Sequence, residues 1–292
     1  MKIKIFVVLI LLTLLSSSCE HKNPSVPTAE SSDNGEEAYV ITDLGIAYQD
    51  ISARVPWDLK LYNNCLYVGA GDYDKNISPG RAKRYNISSG NWEECGDIPD
   101  EQINRFVLLN NSLVIPGTDP TGDWSLGNYY ILNNNSFQTV RKIPGGLHCF
   151  DLVTYKDKIF AGLGVLNGSF PACVSEDGGN SFKSIDFYKK DGMLLLTQQN
   201  TDIRVYDLVV LGDSLYAVLT IDGNTSIYKY SENGFTYYNN WDNKIIYTKY
   251  TYVPILEKRV IEDTLYFTTG KLYKTDDMKN LSVIEFDDIE HN

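Results

Sequence analysis

The chain has 292 residues, 43% hydrophobic and 22% charged, which excludes a mostly disordered protein and allows one large domain or two average ones. Its formal net charge of −12 argues against nucleic acid as a partner, because phosphate binding needs clustered Lys and Arg. The 21 Tyr, 11 Phe, 4 Trp and 22 Gly point to many short strands joined by tight turns.

Met1-Lys2-Ile3-Lys4 is a short basic segment, and Ile5 to Leu15 is apolar apart from Thr13. The run is too short to span a bilayer comfortably, so residues 1–18 read as a cleaved export signal. Ser16-Ser17-Ser18-Cys19 resembles a bacterial lipobox in relaxed form, with Leu15 one place further from the Cys than the standard pattern has it. The resemblance implies a lipid on Cys19, anchoring the chain in the cell envelope on the periplasmic or surface side of a membrane it does not span. Residues 19–37 are polar, contain Pro and Ser, and lack hydrophobic periodicity, as a flexible tether does. Removing residues 1–18 takes away Lys2 and Lys4 and no acid, so −12 becomes −14 in the mature chain. Export permits disulfides among Cys65, Cys95, Cys149 and Cys173; no spacing is that of a zinc motif, and the pairing cannot be read.

From residue 38 to 292 the chain reads as a single repeat domain. An apolar strand, a two-residue polar turn and a second apolar strand recur at 59–71, 106–118, 152–164, 208–220 and 258–270. Asn-Asn, Lys-Asp, Gly-Asp and Glu-Asp at the centres are hairpin turn formers. The strands are nearly continuous apolar runs, as strands buried on both faces require. A second hairpin follows each first one, at 83–95, 129–140, 172–185, 227–238 and 272–286. Units of four antiparallel strands, A to D, repeated every 46 to 56 residues predict an all-β chain, a β-propeller of four-stranded antiparallel blades. The repeats count five blades; six is the alternative if 38–56, which could also supply a closing strand, belongs to another blade.

Ser175-Glu176-Asp177-Gly178-Gly179-Asn180-Ser181-Phe182 matches the S-x-D-x-G-x-x-[FW] pattern and resembles the Asp box of sialidase-like propellers; Tyr85 to Trp92 resembles the matching turn of kelch-like blades. The resemblance implies structural roles for Ser175, Asp177, Gly179 and Phe182 in a C–D turn, and nothing about activity.

A–B turns are short and share one face. The connections at 71–82, 118–128, 188–205 and 241–256 are long and share the other, where binding sites usually sit. Taking as register residues Leu66, Leu113, Ile159, Leu215 and Leu265, which begin the apolar pair after each turn, the positions eight residues earlier are Asp58, Arg105, Asp151, Asp207 and Glu257, predicted to converge at the mouth of the channel. Such carboxylates can raise one another's pKa for acid–base work, hold Ca²⁺, or simply line a solvated channel. Asp72, Asp74, Asp119 and Asp123 on the loops are further cation candidates. Trp124 and Trp57 are candidate sugar-stacking platforms, and His148 is the only His within the repeats. No cofactor is expected apart from the Ca²⁺ option.

Three functions follow, in order. The first is a monomeric, non-enzymatic binder of a glycan or protein ligand through the loop face. The second is a carbohydrate-active enzyme, a glycoside hydrolase or sialidase-like protein. Asp58, Asp151 and Asp207 are comparable with the inner-strand carboxylates of arabinanase-like hydrolases. Arg105, Arg204 and Arg259 could form an Arg cluster, although Arg54-Val55-Pro56 is only similar to the sialidase entry signature. The third is an assembly scaffold.

Overall fold

The computed structural model describes residues 43–48, 55–72, 77–118, 126–146, 148–164, 170–195, 203–221, 224–241, 257–268 and 271–285. Cys19, the signal and the tether lie outside them. The chain divides into two units, Met1–Gly45 and Ile46–Asn292. In the first, the Gly45 N–H donates to Asp43 Oδ1 at 2.8 Å.

In the second unit the regular structure among the described residues is entirely strand. β1 (Val55–Tyr62), β2 (Cys65–Asp72), β3 (Ile77–Asn86) and β4 (Asn91–Ile98) pair antiparallel in chain order. β5 (Val107–Leu109), β6 (Ser112–Pro116), β7 (Leu126–Asn133) and β8 (Ser136–Pro144) do the same. The order recurs in β9 (His148–Tyr155), β10 (Lys158–Gly164), β11 (Ala172–Ser175) and β12 (Lys183–Ser184). After β13 (Phe187–Tyr188) come β14 (Ile203–Leu211), β15 (Ser214–Ile221), β16 (Asn224–Ser231) and β17 (Gly234–Asn240). A single residue pair, Gly164 with Arg204, joins these last two groups into one sheet. β18 (Glu257–Ile261), β19 (Thr264–Thr268), β20 (Leu272–Thr275) and β21 (Ser282–Ile284) close the described chain.

The first hairpin of each group turns where the polar dipeptides stand. Asn63 and Asn64 have φ of 47° and 59°, and Asn110–Asn111, Lys156–Asp157 and Glu262–Asp263 are also positive at both residues. Two positive φ angles are what a type I′ turn requires, and its twist matches that of the flanking strands.

Alternation along the second strand of each group explains the unbroken apolar runs. Leu215, Ala217 and Leu219 face one core, while Tyr216 and Val218 face another. Leu113 and Ile115 likewise face away from Val114. Successive side chains of a strand point to opposite faces, so a strand packed on both sides must be apolar throughout. Four cores result, each between one strand group and the next: Tyr67 with Leu113, Val114 with Ile159, Phe160 with Leu215, and Val218 with Leu265.

Two features depart from the plain repeat. β2 and β3 extend towards each other as far as the Asp72–Ile77 pair, leaving only 73–76 of the long 71–82 connection. β13 leaves its own group and adds in parallel to the outer edge of β17, pairing Phe187 with Phe235 and Tyr188 with Thr236. The Phe187 and Phe235 rings stack at 4.7 Å and 18°. An outer strand is thereby covered along part of its edge, as edge strands need. Residues 43–48 of the 38–56 segment form no strand, but Tyr48 Oη donates to the carbonyl oxygens of Val68 and Arg81 at 2.8 and 2.9 Å. All four cysteines of the body are buried free thiols; burial pushes Cys95 up to about 12.

Candidate functional site

Three of the inner strands carry a β-bulge at one repeat position. The register shifts at Trp57 in β1, Phe150 in β9 and Tyr206 in β14, always one residue before an aspartate. A bulge bends its strand and re-aims the residues beside it. Past the bulges, Asp58, Asp151 and Asp207 each pair with the third residue after the register position, Gly69, Gly162 and Val218.

The aspartates tie neighbouring strand groups together. Asp58 Oδ1 accepts from the Leu59 N–H at 2.8 Å, and its Oδ2 accepts from the Phe106 N–H of the next group at 2.5 Å. Asp151 repeats the device, accepting from Leu152 N–H at 3.0 Å and from Leu208 N–H of the next group at 2.8 Å. Asp207 is fully buried, and its Oδ2 has no hydrogen-bond partner.

Arg105, just ahead of β5, stands at the second group's place in this column and leans forward. Its Nη1 lies 2.7 Å from Asp207 Oδ1 and 3.4 Å from Asp151 Oδ2. Lys258, one residue past the column in β18, leans back to the same two acids: its Nζ donates to Asp151 Oδ2, lies 3.2 Å from Asp207 Oδ1, and donates to the Leu208 carbonyl oxygen at 2.8 Å. Two acids are thus held between two cations, with Asp151 and Asp207 at 1% and 0% exposure. Buried charges persist only when paired in this way. Burial works against the Asp151 carboxylate, but Lys258 and then Arg105 more than offset it and hold its carboxyl below the usual range. Asp58 goes the other way: burial outweighs its two backbone donors and raises it. Asp151 and Asp207 raise Arg105 further above an already high value, against the effect of its burial.

The sequence column thus places Asp58, Arg105, Asp151 and Asp207 together, and misses Lys258. Glu257 pairs with Thr268 at the column's register, with its side chain outside the described residues. Lys258 could have been found from the spacing, because it follows the column directly where Leu59, Leu152 and Leu208 stand in other repeats. It also changes the electrostatics expected of the site, since Arg105 and Lys258 each lie against both Asp151 and Asp207. Among the described residues, no three His, Cys, Asp or Glu are grouped to hold a metal ion. Trp124, Asp74, Asp119 and Asp123 lie outside the described residues, as does the Asp72 side chain.

On the long-loop side of the column sit the bulged aromatics. Trp57 is 40% exposed, its Nε1 donating to the Gly71 carbonyl oxygen at 3.4 Å. The His148 ring stacks on Phe150 at 5.5 Å and 20°, and its Nδ1 bonds the Thr118 carbonyl oxygen. Phe150 meets Tyr206 at 4.6 Å, and the Arg204 guanidinium lies 5.9 Å from the Phe150 ring centre.

The turn of Ser175 to Phe182, between β11 and β12, is a separate construction. Asp177 Oδ1 accepts from the Asn180 and Ser181 N–H groups at 3.0 and 2.9 Å, and Oδ2 from the Ser181 hydroxyl at 2.6 Å. The Ser175 hydroxyl donates to Asp177 Oδ1 and accepts from the Gly179 N–H. Gly179 has φ of 90°, and Phe182 packs edge-on to Tyr129. A second such turn follows β20: Asp277 accepts from the Lys279 and Asn280 N–H groups at 2.7 and 2.8 Å, and Thr275 stands in for the Ser. Its acceptor ring is one residue shorter than the first, so the sequence pattern does not match it.

Sheets packed face to face in succession, with their first strands meeting at one charged cluster, define a β-propeller. No family model matches the chain, and no curated protein matches it. It is similar to the extracellular domain of BT4673 from B. thetaiotaomicron, with 15% identity over 84% of this chain and a TM-score of 0.50. Lower likenesses are to the tricorn protease (16% identity, 78% of this chain, TM-score 0.45) and to the β-propeller domain of the Trilobed protease from Pyrococcus furiosus (11%, 77%, TM-score 0.40). The chain spans 29%, 22% and 66% of the lengths of these three.

Proposed function

We propose that this chain is a five-bladed propeller, anchored in the bacterial envelope through a lipid on Cys19, that binds a glycan or protein ligand on its long-loop face without catalysing a reaction. Within the aromatic collar of Trp57, Phe150 and Tyr206, it is the exposed Trp57 that carries the reading. An exposed indole offers a sugar-stacking or interface platform, while Phe150 and Tyr206 at the same bulged repeat position are buried at 5% and 7% exposure. The acids behind the collar hold backbone amides and cations, which suits a scaffold better than a proton-transfer pair. A glycan array probed with the wild type and with Trp57→Ala tests it: binding should fall at least about tenfold in the variant. Equal binding by both, or hydrolysis of any glycan, defeats the reading. Metabolic labelling with a fatty acid tests the anchor; the wild type should take up label and Cys19→Ala should not.

A glycoside hydrolase is the second reading. One observation favours it: the carboxyl values of Asp58 and Asp151 are pushed apart, as those of an acid and its partner are. Release of reducing sugar that disappears in Asp58→Asn would support it over the first.

A further inference from the structure

A pocket of about 200 Å³ opens beside the charged cluster, along the first strands of the groups. Every residue lining it stands at the column or one to three places after it, in the direction the first strands run towards their hairpins. Four cations line it (Lys60, Arg105, Lys258 and Arg259) against two acids, Asp58 and Asp151. Arg105 and Lys258 are already paired with Asp151 and with Asp207 just behind the lining, so the positive excess of the pocket rests on Lys60 and Arg259 against Asp58.

Its walls are of two kinds. Lys60 on β1 and Arg259 on β18 occupy the second place after the column, where the other repeats have Val107, Val153 and Val209. Opposite them the wall is aliphatic, with Val107, Leu108, Leu152, Val153 and Leu208. The apolar character continues outward at the third place after the column. Leu61, Leu108 and Val260 stand 45%, 48% and 44% exposed there. Leu108 belongs to the pocket lining itself, so its exposed side chain carries the apolar wall outward.

We infer that this pocket binds a monocarboxylate carried on an aliphatic arm, the carboxylate on Lys60 and Arg259 and the arm along the Leu and Val wall. Arg and Lys recognise a carboxylate through charge-assisted hydrogen bonds, and a concave site of apolar walls with few polar groups is the usual form of a small-molecule site. A volume near 200 Å³ suits an acid of about ten non-hydrogen atoms. The lining includes neither Trp57, Phe150 nor Tyr206, so the site stands or falls independently of the glycan reading.

Calorimetric titration of the mature chain at low ionic strength tests it, using octanoate, 1-octanol and acetate as probes. Octanoate should bind at least about tenfold more tightly than octanol, which lacks the charge, and than acetate, which lacks the arm. Lys60→Met and Arg259→Met should each weaken octanoate about tenfold to a hundredfold and leave octanol unchanged. Leu108→Glu, at an exposed mouth position, should abolish octanoate binding with an unchanged melting temperature. A peptide ending in free Leu, compared with its amide, separates the two sources of such a group. Binding of the free-acid peptide alone assigns a chain terminus, and binding of octanoate alone assigns a free short-chain acid. Equal affinity for octanoate and octanol, octanoate affinity unchanged in both Met variants, or no binding of any carboxylate would overturn the inference.

Discussion

Asp151 is the residue on which the axis turns. One side chain accepts two backbone amides and faces both Arg105 and Lys258, and it is 1% exposed. Asp151→Asn keeps the shape, removes the charge, and leaves the buried Arg105 and the partly exposed Lys258 to share Asp207. Breaking a buried pair of this kind costs about 3–5 kcal/mol, to be read from denaturant unfolding. The sign of the pH effect follows from the depressed carboxyl. Its folded-state value lies below the unfolded one, so the stabilisation is complete above the ordinary aspartate value of about 4 and is lost as pH falls beneath it. Wild-type stability should therefore drop on acidification below about pH 4, and Asp151→Asn should flatten that part of the curve. A variant with the wild-type acid limb would place the titration elsewhere. Asp177 makes a contrasting case. It is held well below the usual carboxylate range by Ser181, first through the hydroxyl and then through the backbone N–H, all within one turn. Asp177→Ala should lower the melting temperature and leave ligand binding untouched; lost binding at an unchanged melting temperature would make it a site residue.

At the scale of elements, the parallel strand β13 rests on one glycine. Gly234 has φ of 121°, and a Cβ there would lie 2.5 Å from the Asp186 carbonyl oxygen, which also accepts the Phe235 N–H at 2.8 Å. Gly234→Ala should cost more than about 1 kcal/mol and detach β13, visible as faster amide exchange at Phe235. Gly178→Ala, at φ of 73° with open space around it, should cost less, because only the backbone conformation is penalised. The A–B hairpins were legible in the sequence because turn chemistry and apolar runs coincide there, as at Asn63-Asn64 between Leu61 and Leu66. β13 was not legible: Phe187-Tyr188 is two residues long, and its pairing is set by a partner about 48 residues away, beyond the reach of local pattern. The site was half legible. A shared register exposes Asp58, Asp151 and Asp207, but Lys258 belongs to a neighbouring column, and it acts by leaning backwards across the sheet packing. The aromatic collar depends on bulges, which no periodicity announces.

Across the molecule the packing is uneven. β15 is buried along both faces, with Leu215, Ala217, Val218 and Leu219 at zero exposure. β18 and β21 instead expose Arg259, Val260, Ile261 and Val283. Local opening follows such differences. Hydrogen exchange should therefore find the slowest amides in β14–β15 and the fastest strand amides in β18–β21. Uniform protection across all the groups would show that the propeller opens only as a whole.

The bridging aspartates also have a direction. Asp58 offers its carboxylate to an amide 48 residues later in the chain, and Asp151 to one 57 residues later. In both ties the acceptor belongs to the earlier segment and the donor to the later one. A chain emerging amino end first, from a ribosome or through a membrane, would thus present each socket before its plug is made. Assembly can proceed by successive docking in the order of synthesis, without any segment waiting exposed for a partner upstream. The exception is Arg105, a donor made before its acceptors Asp151 and Asp207; Lys258 keeps the rule and, reaching back to both acids, acts last, as the latch on a series already in place.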